Sequence, residues 1–123
     1  MSLPAIENEI LLLHNPRCSK SRATEVLLEQ AGVEYQTRAY LEEPLSRAEL
    51  AELARRLDRP AAEFVRRGQS EFAEAGLSSG SSEDEILDAM AAHPILMERP
   101  ILVRGERAAI GRPPENVRAL LED

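Results

Sequence analysis

The first third of the chain alternates between apolar blocks and polar, turn-forming segments. The apolar run from Glu9 to Leu13 stops at Asn15-Pro16, a pattern typical of a buried strand that ends in a turn. The following segment repeats apolar residues at helical spacing until Gly32, a residue type that commonly ends helices. The repeated positions are Ala23, Val26, Leu27 and Ala31. Val33–Tyr40 mixes β-branched, aromatic and polar residues and predicts a second strand, so this third of the chain forms a strand-helix-strand unit.

The middle of the chain carries two capping boxes, each of which marks the start of a helix. Ser46 precedes Glu49 by three residues, and Ser82 precedes Glu85 in the same way. Apolar residues follow both boxes at helical spacing, so we expect Pro44–His93 to be helical throughout. The predicted pieces are a helix after Ser46 that stops before Pro60, a short helix over Ala61–Arg67, a less regular stretch over Gly68–Gly80 and a helix after Ser82.

The last part of the chain predicts a β-hairpin followed by a helix. Two short strands, Ile101–Arg104 and Arg107–Ile110, are joined by Gly105-Glu106, which is typical of a tight turn. Pro113-Pro114 then starts a final helix whose inward positions are Val117, Leu120 and Leu121. A parallel strand-helix-strand unit combined with a terminal hairpin predicts an α/β fold with a mixed four-stranded sheet flanked by helices. No linker is long enough for a second domain, so we expect residues 1–123 to form one.

Composition excludes several classes of protein. No apolar run approaches the roughly 20 residues that a membrane span needs, and the N-terminus lacks the features of a signal peptide, so we expect a cytoplasmic protein. The chain has 22 acidic against 15 basic residues, and this net charge of −7 argues against nucleic-acid binding because it repels phosphate. The one cysteine, Cys18, cannot form an internal disulfide and has no partners at metal-binding spacing.

Cys18 lies where the first strand turns into the first helix. The free N–H groups and the dipole at a helix N-terminus stabilise a thiolate, so the pKa of the Cys18 thiol should fall below the free value of about 8.5. The same N–H groups can bind a tetrahedral oxyanion. Nearby cationic groups could balance the negative charge; these are His14, Arg17, Lys20 and Arg22. The alternative is that Cys18 only packs in the core, as free cysteines often do. His14 could likewise be a hydrogen-bonded core residue, and Asn15 or Ser21 could simply cap the helix.

Three motifs closely resemble the glutaredoxin-coupled arsenate reductase family. They are HNPRCSKSR from His14, HPILMERPILV from His93 and AIGRPPENV from Ala109, and they occur in the family's order and spacing. The resemblance covers nearly the whole chain from Ile10 and includes the intervening FVRRGQSEFAEAGL. It implies a thioredoxin-like fold with a helical insertion, at about residues 44–98, between the second and third strands.

The resemblance also implies roles for individual residues. Cys18 would be the nucleophile and His14 would lower its pKa. Three arginines would hold the oxyanion: Arg66, Arg99 and Arg112. Arg67 neighbours Arg66, and the sequence leaves open which of the two points inward. Asn15, Ser21 and Arg22 would support the loop, and Pro100 matches a family proline that is commonly cis, although the sequence alone does not decide between cis and trans.

The implied activity is reduction of arsenate to arsenite, with glutathione as co-substrate and no bound cofactor or metal. Because a lone cysteine cannot resolve its own mixed disulfide, glutaredoxin would have to do so. We expect a monomer. One alternative is a glutathione-dependent thiol oxidoreductase acting on another substrate. Another is a regulator that binds RNA polymerase; such regulators typically carry a C-x-x-C pair, whereas position 21 here is Ser21.

Overall fold

The computed structural model describes residues 3, 9–15 and 19–121, apart from the side chain of Lys20. These residues divide into two compact units. The sheet unit comprises the described residues of Met1–Glu43 and Arg99–Asp123, and the helical unit comprises Pro44–Glu98. The prediction that the whole chain acts as one domain stays a prediction. No helix in the described ranges has the length and apolar character needed to cross a membrane.

The sheet unit is built on four strands in the order β2-β1-β3-β4. The strands are β1 (Ile10–His14), β2 (Gln36–Ala39), β3 (Ile101–Arg104) and β4 (Arg107–Ile110). β1 runs parallel to β2 and antiparallel to β3, and β3 pairs with β4 as an antiparallel hairpin. The predicted mixed four-stranded sheet flanked by helices is therefore confirmed.

One face of this sheet is covered by the first and last helices. α1 (Ser19–Ala31) follows β1, and a 3-10 turn (Pro114–Val117) continues into a short terminal helix, Arg118–Leu121. An apolar cluster joins these helices to the sheet; its buried members are Ile10, Leu12, Leu28, Leu102, Val117 and Leu120. Successive side chains of a strand point to opposite faces of the sheet, so Ile10 and Leu12 of β1 both lie on this face.

The buried face of α1 differs from the face that the apolar pattern predicts. Ala23, Val26 and Ala31 are exposed, with Val26 at 49%. Ser21 and Thr24 are buried completely, together with Leu28. A serine or threonine can be buried when its hydroxyl is hydrogen-bonded, so the apolar pattern predicted the helix correctly but not which of its residues are buried, although Leu27 does pack against the core cluster.

The helical unit contains the two helices that the capping boxes predict. Helix α2 (Arg47–Leu57) begins after Ser46 and helix α4 (Glu83–Ala92) begins after Ser82, and both boxes have the reciprocal side-chain and backbone hydrogen bonds. α2 packs against α4, and Arg47 pairs with acidic residues of α4. Between them, α3 (Ser70–Glu74) lies in the stretch that was predicted to be less regular.

An ion-pair cluster lies along α2. Glu52 accepts hydrogen bonds from Arg55 and Arg56, three and four residues further along the helix. These bonds lower the pKa of the Glu52 carboxyl from 4.5 to about 2. The side chain of Glu52 is 34% exposed, so solvent screens the interaction and its contribution to stability is small.

The prediction of a helix over Ala61–Arg67 is wrong. Only a 3-10 turn, Ala61–Glu63, forms there, and Val65 instead makes an isolated antiparallel bridge with Met97. The backbone N–H of Arg66 donates to the Leu96 carbonyl at 2.6 Å, so the groups that would continue a helix are used in this bridge. Pro44–His93 is therefore not helical throughout.

Candidate active site

Three chain segments of the sheet unit end at the same edge of the sheet. In the register, Leu13 of β1 lies opposite Ile101 of β3, and Ile101 lies opposite Ile110 of β4. The residues that follow β1, precede β3 and follow β4 therefore share one edge. Together with His14, the last residue of β1, the residues at this edge are Asn15, Arg99 and Pro100, and Gly111 and Arg112. Five of these six residues were named by the sequence analysis; Gly111 was not.

One backbone and one side-chain hydrogen bond fix the segment before β3 against the segment after β4. The N–H of Gly111 donates to the Pro100 carbonyl at 2.8 Å, and Nε of Arg112 donates to the Arg99 carbonyl at 2.6 Å. The Arg99-Pro100 peptide bond, which the sequence left open, is cis, and so is Arg112-Pro113. Two of the predicted oxyanion-binding arginines are thus in direct contact.

Gly111 allows the close approach of these segments. A Cβ atom at this position would lie 2.9 Å from Cγ of Pro100 and 2.9 Å from Oγ1 of Thr24, closer than real Cβ contacts. Thr24 is completely buried on α1. Gly111 therefore brings the first helix, the proline before β3 and the end of β4 together at one point, and only the absence of a side chain permits it.

Arg99 has buried donors without acceptors. Its side chain is half-buried, and its Nε and Nη1 atoms are buried with no hydrogen-bond partner among the residues that the structure describes. A buried donor that lacks a partner is unfavourable by about 1 to 3 kcal/mol, and more for a charged group. The planar guanidinium matches the geometry of a tetrahedral oxyanion with two parallel hydrogen bonds. Arg99 is therefore chemically suited to bind an anion at the sheet edge.

The start of α1 is joined to the end of β1 by the predicted supporting residues. The backbone N–H of Asn15 donates to Oγ of Ser21 at 3.2 Å, and Ser21 is completely buried. Arg22, which was also predicted to support the loop, is exposed on α1. Cys18 lies outside the described residues, so the structure gives no position for the predicted nucleophile.

His14 is buried at the end of β1 and faces an acidic residue that the sequence analysis missed. Its Nδ1 atom lies 3.7 Å from Oε1 of Glu25 on α1. The Tyr35 hydroxyl donates to the other oxygen of Glu25 at 3.4 Å. Burial raises the pKa of Tyr35, and the nearby carboxylates of Glu25 and Glu29 raise it further. The sequence signal for Glu25 was its position four residues after Ser21, which places both on one face of α1.

The helical unit contains the third predicted arginine. The Arg66 side chain is 21% exposed, its Nε lies 3.6 Å from Oε1 of Glu98, and its Nη1 is buried without a hydrogen-bond partner in the described part of the chain. Arg67 is exposed, and its guanidinium carbon lies 5.9 Å from the centre of the Phe72 ring. Of the two neighbours, Arg66 is therefore the enclosed one.

The fold and the sheet edge define a class of protein. A mixed four-stranded sheet with flanking helices, in which β1 leads into a helix beside a cis-proline that precedes β3, is a thioredoxin-like arrangement. The ArsC family model matches residues 13–120. The chain therefore belongs to the ArsC family.

Several relatives are similar to this chain over almost their full length. The arsenate reductase of Neisseria meningitidis serogroup A is 41% identical over 115 residues, which cover 92% of this chain and 98% of that protein. Uncharacterized protein YfgD of Escherichia coli is 44% identical over 111 residues, covering 89% and 93%. The solved structure of an arsenate reductase from Vibrio cholerae has a TM-score of 0.86 and 40% identity and covers 93% of this chain and 98% of that chain.

Proposed function

We propose that this protein is an arsenate reductase that uses the Cys18 thiolate as nucleophile, with glutathione and glutaredoxin as reductants. The observation that carries the proposal is the half-buried side chain of Arg99, whose Nε and Nη1 have no hydrogen-bond partner among the described residues and which precedes β3 at the sheet edge where β1 ends. Family membership and the names of the relatives support arsenate as the oxyanion. Glutathione and glutaredoxin follow from the family resemblance and from the presence of a single cysteine.

Arginines supply the binding energy for the oxyanion. Arg99 offers two buried donors, and Arg112 is held against it through the Arg99 carbonyl. The family resemblance implies a third arginine for arsenate, Arg66. A guanidinium stays charged at every physiological pH and pairs with oxyanions through parallel donors, so these residues can hold both arsenate and its covalent adduct.

Activation of Cys18 would come from the start of α1. The helix begins at Ser19, directly after Cys18, and is 13 residues long. The partial positive charge at its N-terminus favours the thiolate over the thiol. In the proposal His14, at the end of β1, adds a second stabilising group, and Asn15, Ser21 and Pro100 maintain the backbone around it.

The proposed reaction has three steps. The Cys18 sulfur attacks arsenic(V), a sulfur–arsenic bond forms, and one arsenate oxygen leaves as water after protonation. The glutathione thiolate then attacks the Cys18 sulfur; a disulfide forms, and the electron pair of the sulfur–arsenic bond stays on arsenic, which becomes arsenic(III) and leaves as arsenite. Glutaredoxin finally attacks the mixed disulfide and returns Cys18 to the thiolate.

The proposal also covers the cellular location, the oligomeric state and the ligands of the enzyme. It would act in the cytoplasm as a monomer, without a bound cofactor or metal and without a nucleic-acid partner. The net charge of −7 supports the last point, because an acidic protein repels a phosphate backbone.

The proposal is tested by coupling purified protein to glutathione, glutaredoxin and a reductant whose consumption is followed, with and without arsenate. We expect arsenate-dependent consumption that Cys18→Ser abolishes. Arg99→Gln should raise the KM for arsenate about 10- to 100-fold, because hydrogen bonds to charged groups contribute about 1.5 to 3 kcal/mol. Arg107→Gln is the matched control, since Arg107 is exposed on β4 of the same unit.

Two results would contradict the proposal. One is that the wild type consumes the reductant no faster than Cys18→Ser does, while a known arsenate reductase is active in the same mixture. The other is that the reductant is consumed at the same rate with and without arsenate, which would indicate a glutathione-dependent thiol oxidoreductase acting on another substrate.

A further inference from the structure

One face of α1 contacts the end of β1 at two points, and the mechanism proposed above uses only one of them. Ser21 accepts the backbone N–H of Asn15 at 3.2 Å. One helical turn later, Oε1 of Glu25 lies 3.7 Å from Nδ1 of His14. The two residues of α1 thus reach the last residue of β1 and the residue that follows it. Glu25 has no role in the oxyanion site described so far.

The His14–Glu25 contact is sheltered from solvent. The His14 side chain is 10% exposed and that of Glu25 is 29% exposed. His14 Nδ1 is buried and makes no hydrogen bond within the described ranges, so the Glu25 carboxylate at 3.7 Å is an ion-pair contact rather than a hydrogen bond. A sheltered imidazole beside a carboxylate is expected to carry its proton on the nitrogen nearer the carboxylate. The other tautomer would place the lone pair of that nitrogen against a negative charge.

Tyr35 holds the other side of the same carboxylate. Its hydroxyl donates to Oε2 of Glu25 at 3.4 Å, so Oε1 remains directed at His14. The raised pKa of Tyr35, caused first by burial and then by Glu25 and Glu29, keeps this hydroxyl protonated and able to donate at neutral pH. Glu29 lies one turn further along α1 and is exposed to solvent.

We infer that Glu25 is a positioning residue that holds the His14 proton on Nδ1 and thereby leaves Nε2 as the ring nitrogen that acts on Cys18. The role toward Cys18 rests on the proposed function; the tautomer of His14 does not. In the neutral ring, Nε2 carries the lone pair and can take the proton of the Cys18 thiol. The sulfur–hydrogen bond then breaks, an Nε2–H bond forms, and the Glu25 carboxylate stabilises the positive charge of the imidazolium through its Nδ1 side.

The tautomer can be measured directly by ¹⁵N NMR of the histidine rings at alkaline pH, where a neutral imidazole has one protonated and one unprotonated nitrogen. The chain has only two histidines, so His93→Gln assigns the signals of His14. We expect the wild type to carry the proton on Nδ1. Glu25→Leu, which keeps the size of the side chain but removes the acceptor, should change the ratio of the two tautomers about tenfold toward Nε2–H.

Two further variants separate the inference from a general effect on folding or charge. Glu25→Gln keeps an oxygen acceptor and should keep the proton on Nδ1. Glu29→Gln removes one charge from the same helix and should leave the ratio unchanged. An Nε2–H tautomer in the wild type, or an unchanged ratio in Glu25→Leu, overturns the inference.

The rate of Cys18 alkylation by iodoacetamide near neutral pH tests the consequence for the thiol. Glu25→Leu should react more slowly than the wild type, and Glu29→Gln should react at the wild-type rate. Equal rates for all three proteins would overturn the role toward Cys18. Neither measurement contains arsenate, so loss of the proposed arsenate reductase activity and loss of this inference give different results.

Discussion

Adding one methyl group at Gly111 should disturb the point where three segments of the sheet unit meet. The Cβ atom of Gly111→Ala would lie 2.9 Å from Cγ of Pro100 and 2.9 Å from Oγ1 of Thr24, with Cδ of Pro100 at 3.5 Å. Neither neighbour can move away easily, because the proline ring is rigid and the threonine is completely buried. The strain must therefore be relieved by a shift of the backbone.

The expected loss in the free energy of unfolding can be estimated from the cost of overpacking in other proteins. Inserting a methyl-sized group into a packed interior costs about 1 to 3 kcal/mol. For a chain of 123 residues, an unfolding entropy of about 2.1 cal/mol/K per residue converts this loss to a decrease in Tm of roughly 4 to 12 °C. The same shift would displace Arg112, the next residue, so we also expect a higher KM for arsenate.

Urea unfolding and thermal melting of Gly111→Ala, compared with Gly68→Ala, provide the assay. Gly68 has nothing within 4 Å of its added Cβ and no positive φ, so its substitution should change the free energy of unfolding by less than about 0.5 kcal/mol. If both variants are equally stable, the close packing of Gly111 against Pro100 and Thr24 is wrong.

Three further predictions concern burial and charge. Leu28→Ala should lower the free energy of unfolding by about 2 to 5 kcal/mol, whereas Val26→Ala should change it by less than about 0.5 kcal/mol; equal losses in urea titrations would show that the assigned face of α1 is wrong. Arg66→Ala should raise the KM for arsenate about tenfold and Arg67→Ala less than about twofold, and the reverse order in the coupled assay would exchange their roles. Glu52 stabilises the fold above its ordinary pKa of 4.5, and this contribution is lost as the pH falls through about 2. Glu52→Gln should therefore be less stable by under about 1 kcal/mol at neutral pH, and the difference should shrink below pH 4.5 and vanish below about pH 2; a constant difference across an acid titration would contradict this.

Local signals in the sequence predicted those elements whose stabilising contacts are themselves local. Each capping box joins residues three apart, so Ser46 and Ser82 marked the starts of two helices correctly. The tight turn at Gly105-Glu106 likewise gave the hairpin with correct strand ends. Where distant residues decide, prediction failed: Val65 pairs with Met97, 32 positions away, and a short helix was expected in its place.

The sequence predicted some residues of the candidate site and not others, again because contacts between distant residues are not visible in it. Family motifs named Arg99, Arg112 and Pro100, and the register of the sheet brings these to the edge where β1 ends. Gly111 and Glu25 were missed because their importance comes from what they touch across the fold. A glycine in a strand-end motif has no visible neighbour in the sequence, and an acidic residue on a helix is usually a solvated surface charge.

The central claim is that arsenate reacts at the sulfur of Cys18. It is tested most directly by mass spectrometry of the intact protein after incubation with glutathione, with arsenate present or absent and glutaredoxin omitted. We predict one glutathione joined to Cys18 through a disulfide, formed only with arsenate and removed when glutaredoxin is added. Adduct formation at the same rate without arsenate, or no adduct at all, would contradict the account.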